Sequence, residues 1–257
     1  MKNQNQTQML STGYTALDGL IGGFNPTQLI TIASRASEGK SAFALNLALN
    51  FCDQGEKVAF WNFETSKPEL IRRILAIRTG FSSDKDINKI TEEHCTALRK
   101  YIEETKEEVF IKTNFIYDLN NFALKCKDLK EKHGVKVVII DNVQMVCLNN
   151  DNSNDRPAAI DTITKRLKQI AEELEIIVII VSQLSRITQD REDTTPILSD
   201  FECSSSIEKN SDIVIFLHTN PDNPQQTKII FAKTPNGLKE QCVLSFIRSL
   251  TKFVEAA

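Results

Sequence analysis

One stretch of the sequence, residues 28–50 (QLITIASRASEGKSAFALNLALN), constrains the fold more than any other. It begins with the apolar, β-branched run Leu29–Ala33, which has the length and composition of a buried strand. A polar loop over Ser34–Gly39 follows, and Lys40–Ser41 leads into a segment rich in Ala, Leu and Phe that we expect to be helical. A strand, a tight loop, Gly-Lys-Ser and a helix are the arrangement of a phosphate-binding P-loop.

The predicted loop supplies the groups that a nucleoside triphosphate and Mg²⁺ require. Its backbone N–H groups and the N-terminus of the next helix form an anion cradle. We expect Lys40 to contact the β- and γ-phosphates and the Ser41 hydroxyl to bind Mg²⁺. The usual first Gly of the motif is here Ser34, a small residue that still fits. The predicted ATP-binding residues are Ser34, Arg35, Ala36, Ser37, Glu38, Gly39, Lys40, Ser41 and Ala42.

Three further predicted strands end close to polar side chains that point to the same site. Lys57–Phe63 precedes Glu64, which either acts beside the ligand crevice of an open α/β sheet or stabilises the start of the next helix. Val135–Asp141 ends in an acid, a pattern that P-loop enzymes use to hold Mg²⁺ but that many α/β strands share. Ile176–Val181 precedes Gln183, which either senses the γ-phosphate and orients water or caps the sheet edge.

The sequence shows no internal repeat and no shift in composition, so we expect a single domain over residues 11–257 after a flexible tail over residues 1–10. Thr15 is the expected N-cap of a short first helix. Polar segments over 147–157 and 184–206 are expected to be long loops. Three strands are expected to close the sheet, with antiparallel members: Ile213–His218, Lys228–Lys233 and Val243–Arg248.

Composition is that of an ordinary globular protein. The 257 residues are 41% hydrophobic and 25% charged, and the net charge is −3. Because this bulk charge does not favour polyanions, any nucleic-acid contact has to come from local patches. The six cysteines form no C-x-x-C pair, which fits reduced thiols. With no signal core and no apolar run of membrane-spanning length, we expect a cytoplasmic protein without a membrane segment.

Eight segments, in this order, resemble the C-terminal motor domain of DnaB-type replicative DNA helicases. They are STGYTALD, IASRASEGKSAFALNLALN, VAFWNFETS, VVIIDNVQMV, DRPAAIDTITKRLKQIAEEL, IVIIVSQLSR, ILSDFECSSSIEKNSDIVIF and IIFAKTPNG. They cover nearly the whole chain after residue 10. The resemblance implies a RecA-like P-loop NTPase fold with a mostly parallel sheet, a hexameric ring with ATP sites between subunits, and translocation on single-stranded DNA.

The resemblance also implies roles for individual residues. Glu64 would be the general base that activates water, Asp141 the acid that binds Mg²⁺, and Gln183 the γ-phosphate sensor. Lys233 of a neighbouring subunit would help to neutralise the γ-phosphate.

The predicted loops over 147–157 and 184–206 correspond to the DNA loops of the family. The resemblance therefore suggests three DNA-binding residues: Arg156, Arg186 and Arg191.

This sequence departs from the family at several points. Where the family carries the arginine finger of Lys-Gln-Arg-Asn-Gly, this chain has Pro235, and an Arg of Asp-Leu-Arg-Glu is replaced by Glu202. An arginine finger accelerates hydrolysis by ~10³–10⁵-fold, so without it the sequence does not fix the rates of hydrolysis and unwinding. We also expect the chain to lack the N-terminal domain of the family.

Two functions stay open at this point. The first is an ATP-hydrolysing DnaB-like motor acting on single-stranded DNA in replication, as a homo-oligomer with replication proteins as partners. The second is a weakly hydrolysing ATP-binding accessory or loading protein that docks on a replication partner. A RecA- or KaiC-like ATPase shares the P-loop but not the DnaB-like segments. Tyr14, Trp61 and Lys233 either contact the base or ribose or serve packing and surface charge.

Overall fold

The computed structural model describes residues 9–80, 82, 91–93, 95–96, 99–100, 109–112, 118–146, 156–185, 193–201 and 204–256. The principal helices are α1 (Thr15–Ile21), α2 (Lys40–Asp53), α3 (Lys67–Thr79), α4 (Leu119–His133), α5 (Arg156–Glu173) and α6 (Ser204–Asn210). The strands are β1 (Leu29–Ser34), β2 (Lys57–Asn62), β3 (Val109–Lys112), β4 (Val135–Asp141), β5 (Ile177–Gln183), β6 (Ile213–Thr219), β7 (Gln226–Lys233), β8 (Gln241–Ile247) and β9 (Lys252–Glu255).

These strands form one sheet in the order β3-β2-β4-β5-β1-β6-β7-β8-β9. The strands from β3 to β6 pair in parallel, and those from β6 to β9 pair antiparallel. The predicted α/β class, a mostly parallel sheet with antiparallel closing strands, is thereby confirmed. Parallel strands end at a common edge, where Ser34 lies beside Gln183 and Asn62 beside Asp141.

Helices cover both faces of the sheet. Alternate side chains of β1 enter two separate cores, Ile30 and Ile32 on the side of α2, and Leu29 and Ala33 on the other side. The second core takes its helical residues mainly from α4 and α5. Burial on both faces explains why the central strands are continuous apolar runs instead of alternating ones.

The C-terminal strands are tied directly to α2. The side chain of Asn46, buried in α2, donates to the carbonyl of Thr251 at 2.8 Å and accepts from the backbone N–H of Phe253 at 3.2 Å. Phe253 also packs edge-on against Phe43 of α2, with ring centroids 5.3 Å apart. This anchoring places the β8–β9 hairpin beside the N-terminus of α2, where phosphate binding is predicted.

Local predictions fail near the N-terminus. Thr15 is the first residue of α1 and not its N-cap, which is Tyr14 without a side-chain cap. The carboxylate of Asp18 instead accepts the Ser11 hydroxyl at 2.5 Å and so ties the preceding turn to the helix. Leu10, which was assigned to the tail, pairs with Phe24 through backbone hydrogen bonds of 2.7 and 2.8 Å.

Three boundaries further along the chain also differ from the prediction. Arg156 and Pro157 belong to α5, because Pro fits the first turn of a helix, so the predicted loop over 147–157 is too long. The helix α6 begins at Ser204, inside the second predicted loop. The closing part of the sheet contains β9, a fourth strand of four residues that the sequence analysis missed. Within the described residues, no helix is both long and apolar enough to cross a bilayer.

Candidate nucleotide-binding site

The loop between β1 and α2 turns tightly over the N-terminus of α2. Gly39, the N-cap of α2, has φ 94° and Ser37 has φ 65°. A Cβ at Gly39 would lie 3.0 Å from the ring of Phe246 and 3.2 Å from that of Phe253. Only glycine combines a left-handed φ with this close approach. The first N–H groups of the 14-residue helix α2 are thereby exposed to an anion in front of the loop.

Side chains of the loop brace it against other elements. Glu38 accepts the backbone N–H of Arg35 at 2.9 Å and that of Thr219, at the end of β6, at 3.4 Å. The Arg35 guanidinium donates to the carbonyl of Thr194 at 2.7 Å, which joins the loop to the segment after β5. The Ser34 hydroxyl donates to the carbonyl of Arg35 at 2.8 Å. These residues therefore hold the shape of the P-loop.

Ser41 and Asp141, the two predicted Mg²⁺ ligands, lie close together. Asp141 is only 2% exposed at the end of β4 and shares a hydrogen bond with the Ser41 side chain. The pKa of Asp141 is raised to about 6, mainly by burial and also by the nearby Glu64, while Ser41, Lys40 and Arg73 act to lower it. Its Oδ1 atom has no hydrogen-bond partner among the described residues.

A buried carboxylate oxygen without a partner beside a hydroxyl fits a divalent cation. The described residues contain no cluster of three or more His, Cys, Asp or Glu side chains suited to a metal. A cation here would therefore depend on one carboxylate, one hydroxyl, water and phosphate oxygens. That ligand set is typical of Mg²⁺ in nucleotide enzymes.

Glu64 lies in the turn between β2 and α3 and faces a cleft. The amide of Asn142 donates a hydrogen bond to its Oε1 atom. The turn is held by Asn62, which accepts from the backbone N–H of Thr65 at 3.2 Å, and by Ser66, the N-cap of α3. Because Ser66 already caps the helix, this geometry favours a role for Glu64 in the cleft over one in starting α3.

The cleft has a volume of about 370 Å³ and joins the P-loop, α3 and the C-terminal hairpin. Its described lining is Ser37, Gly39, Lys40, Ser41, Ala42, Glu64, Thr65, Glu69, Arg72, Arg73, Phe246, Arg248 and Thr251. Four of these side chains are cationic and two are anionic, so they carry a net charge of +2 within a chain of net charge −3. This concentration of positive charge suits a polyphosphate.

Three cleft residues from the C-terminal hairpin, Phe246, Arg248 and Thr251, were not predicted. Arg248 donates to the carbonyl of Ser37 at 3.0 Å, and its guanidinium carbon lies 5.2 Å from the centre of the Phe246 ring. Arg72 and Arg73 of α3 were likewise missed. Their only signal in the sequence was a pair of arginines on the helix that follows Glu64.

Gln183 and Lys233 lie apart from this lining. Gln183 ends β5, and its carbonyl accepts from the Gln144 side chain at 3.3 Å. Lys233 donates to the carbonyl of Glu208 at 2.6 Å. Pro235 is exposed in the turn after β7. A role for Lys233 at a γ-phosphate therefore requires the site of another subunit.

The other residues predicted to contact the nucleotide or DNA lie in different environments. Tyr14 is 4% exposed and stacks on Phe43, and Trp61 is 2% exposed against Phe122, so both aromatic rings serve packing. Arg156 is exposed at the start of α5. Arg186 and Arg191 lie outside the described residues.

Comparison with curated proteins identifies relatives over nearly the whole chain. The chain is 34% identical to the replicative DNA helicase DnaB of Geobacillus stearothermophilus over 261 residues, which covers 95% of this chain and 56% of that protein. It is 33% identical to the replicative DNA helicase DnaC of Bacillus subtilis, with the same coverage. The chain therefore spans little more than half the length of these relatives.

Solved structures share the fold. One of them, described as an ATPase domain, superposes with a TM-score of 0.87 at 29% identity, covering 99% of this chain and 94% of that one. A DnaB-like replicative helicase, whose structure was described with its interactions with primase, gives a TM-score of 0.87 at 30% identity, covering 98% and 62%. The family model for the DnaB-like helicase C terminal domain matches residues 9–255. The chain belongs to the DnaB-like helicase C-terminal domain family.

Proposed function

We propose that this chain is an ATP-hydrolysing motor that drives a DnaB-like helicase along single-stranded DNA during replication in the cytoplasm. One observation carries the proposal: the P-loop, Asp141 and Glu64 meet around a positively charged cleft. Membership of the DnaB-like family supports the assignment to replication.

Each group in the cleft has a distinct task in this proposal. The buried ammonium of Lys40 and the N–H groups of α2 bind the phosphates. Ser41 and Asp141 hold Mg²⁺, which neutralises phosphate charge when bound. Glu64 takes a proton from the attacking water, and Asn142 orients its carboxylate.

The proposal extends to assembly and DNA. A homo-oligomeric ring, hexameric as in the family resemblance, would bring Lys233 of one subunit to the ATP site of the next, after it leaves the Glu208 carbonyl. Gln183 would sense the γ-phosphate from the end of β5. Arg156, with Arg186 and Arg191, would contact the phosphates of the DNA, and replication proteins would be the further partners.

Steady-state ATP hydrolysis, measured with and without single-stranded DNA at two salt concentrations, tests the proposal. We expect DNA to stimulate turnover, and we expect Lys40→Ala to lose nucleotide binding because it removes the phosphate-binding cation. Glu64→Gln should bind ATP but lose turnover by about 10²-fold or more, since it cannot accept the proton. Unchanged ATP binding by Lys40→Ala would contradict the proposed site.

The second function, which the family match does not favour, is motivated by Pro235, which is exposed where the resemblance places an arginine finger. An accessory protein that uses ATP as a switch would bind the nucleotide tightly and hydrolyse it slowly. Tight binding with negligible turnover, unaffected by DNA, would support this function instead of the motor.

A further inference from the structure

Two adjacent arginines of α3 form one wall of the nucleotide cleft. Arg72 and Arg73 line it together with Lys40, Ser41 and Glu64. Their side chains are 24% and 29% exposed, so both are partly removed from water while remaining open to the cleft. Cations placed this way interact more strongly with a phosphate than fully solvated ones do.

Glu69 fixes both arginines from one turn earlier in α3. Its Oε1 atom accepts from Nε of Arg73 at 3.0 Å, and its Oε2 atom pairs with Arg72. Such pairs three and four residues apart also occur as surface features that stabilise helices slightly. Here, however, Glu69 itself lines the cleft, so the ion pairs lie within the site.

Arg73 lines the cleft together with Glu64 and affects Asp141 electrostatically. Its charge acts on Asp141, whose ionised form it stabilises together with Lys40. The same carboxylate is affected by Glu64, the predicted general base. Arg73 therefore lies within electrostatic range of Asp141 and lines the same cleft as Glu64, and it is between these two acids that the terminal phosphate and the attacking water would meet.

We propose that Arg73, positioned by Glu69, contacts the γ-phosphate of ATP bound to its own subunit and acts as a catalytic cation in cis. This inference rests on the proposed ATPase function. An arginine can supply transition-state charge either in trans or from the same chain, and in both cases it neutralises charge on the transferred phosphoryl group. A cis arginine would also provide charge that Pro235 cannot supply.

Nucleotide affinity separates this role from a structural one. We compare the binding of AMP-PNP and ADP, each with Mg²⁺, to the wild-type chain and to Arg73→Ala. Because only AMP-PNP carries a γ-phosphate, Arg73→Ala should weaken AMP-PNP binding by about tenfold or more, the effect of one charge-assisted hydrogen bond. ADP binding should change by less than about twofold, and ATP turnover should fall by about 10²-fold or more.

Two further variants complete the experiment. Arg73→Lys keeps the charge and should retain most of the preference for AMP-PNP. Arg166→Ala is the matched control, because Arg166 is also 24% exposed and pairs with Glu173 at 2.7 Å but lies on α5 outside the cleft lining. It should leave both affinities unchanged.

The outcomes distinguish the inference from the function on which it rests. Equal weakening of AMP-PNP and ADP, or of neither, by Arg73→Ala would overturn the role of Arg73 and leave the ATPase proposal intact. Should Arg73→Ala fail to fold, Arg73→Gln, which keeps most of the side-chain length but removes the charge, takes its place. Loss of the AMP-PNP preference in folded Arg73→Gln would support the contact, and wild-type affinities together with wild-type turnover would overturn it. A wild-type chain that binds neither nucleotide would overturn both.

Discussion

Gly39 is the residue of the P-loop that faces the aromatic rings of Phe246 and Phe253 in the C-terminal hairpin. Its positive φ and the 3.0 Å approach of a Cβ to Phe246 both exclude a side chain. Gly55, at the end of the turn after α2, has a similar φ of 81° but no atom within 4 Å of its Cβ position. Substitutions at the two glycines therefore distinguish the cost of backbone strain, present at both positions, from the cost of crowding, present only at Gly39.

We expect Gly39→Ala to lower the free energy of unfolding by about 2–4 kcal/mol, because left-handed strain and overpacking add. Gly55→Ala should cost about 1–2 kcal/mol from strain alone. Urea denaturation of both variants measures the difference, and AMP-PNP binding should be lost in Gly39→Ala only. Equal urea midpoints for the two variants would show that Phe246 and Phe253 move to make room for the new methyl group.

At the scale of elements, Arg35 connects the P-loop to the segment after β5. The Arg35 guanidinium donates a hydrogen bond to the Thr194 carbonyl of that segment. Within the segment, the Asp200 carboxylate accepts the backbone N–H of Ile197 at 3.0 Å. By resemblance to the family, this segment belongs to a predicted DNA loop. If the segment does contact DNA, this bond offers a physical route by which nucleotide binding and DNA binding affect each other.

We expect Arg35→Ala to speed hydrogen exchange over residues 193–201 by about tenfold, since one charge-assisted bond to that segment is lost. Stimulation of turnover by DNA should fall at the same time, while AMP-PNP affinity stays within about threefold because backbone N–H groups hold the phosphates. Hydrogen exchange measured by mass spectrometry checks the first effect. Unchanged exchange would mean that the segment is held by its other contacts.

Elements with a long apolar run or a motif were predictable from the sequence. The unit of β1, P-loop and α2 was predicted nearly to the residue, because a buried strand, Gly-Lys-Ser and an apolar helix reinforce one another. β9 has only four residues and alternates weakly, and α6 begins with three serines, so neither carries a clear period. Their formation depends on tertiary contacts such as that between Asn46 and Phe253.

The residues of the candidate site likewise divide into those that the sequence predicts and those that only the fold reveals. Lys40, Ser41, Glu64 and Asp141 could be proposed because each follows or ends a recognisable strand. Arg73 and the C-terminal side of the cleft could not, since an arginine on a helix is usually a solvated charge. Only the folded chain brings α3 and the β8–β9 hairpin to the P-loop.

At the scale of the whole molecule, charge is unevenly distributed. The cleft carries +2 while the chain carries −3, so the remaining residues are acidic in sum. In an assembly of such chains, cations at the subunit boundaries would offset repulsion between acidic surfaces. Lys233 and the exposed turn at Pro235 are the positions that the family resemblance places there.

Arginine introduced at position 235 tests whether that boundary exists. The turn is held by Thr234, whose hydroxyl lies 2.7 Å from both Oδ1 of Asn236 and the carbonyl of Leu238. Because Pro235 is exposed, Pro235→Arg should change the free energy of unfolding by less than about 0.5 kcal/mol. A finger in trans should raise ATP turnover by about tenfold or more, and only at protein concentrations that allow assembly.

Pro235→Ala is the matched control, since it removes the ring of proline without adding charge, and it should leave turnover unchanged. The gain from Pro235→Arg should be larger in a chain that also carries Arg73→Ala, because the two arginines would neutralise the same phosphate and their effects would not add. A gain that is independent of protein concentration would place the new arginine at its own subunit's site. No gain at any concentration would mean that position 235 does not face a neighbouring ATP, and the ring proposed for this chain would then require a different interface.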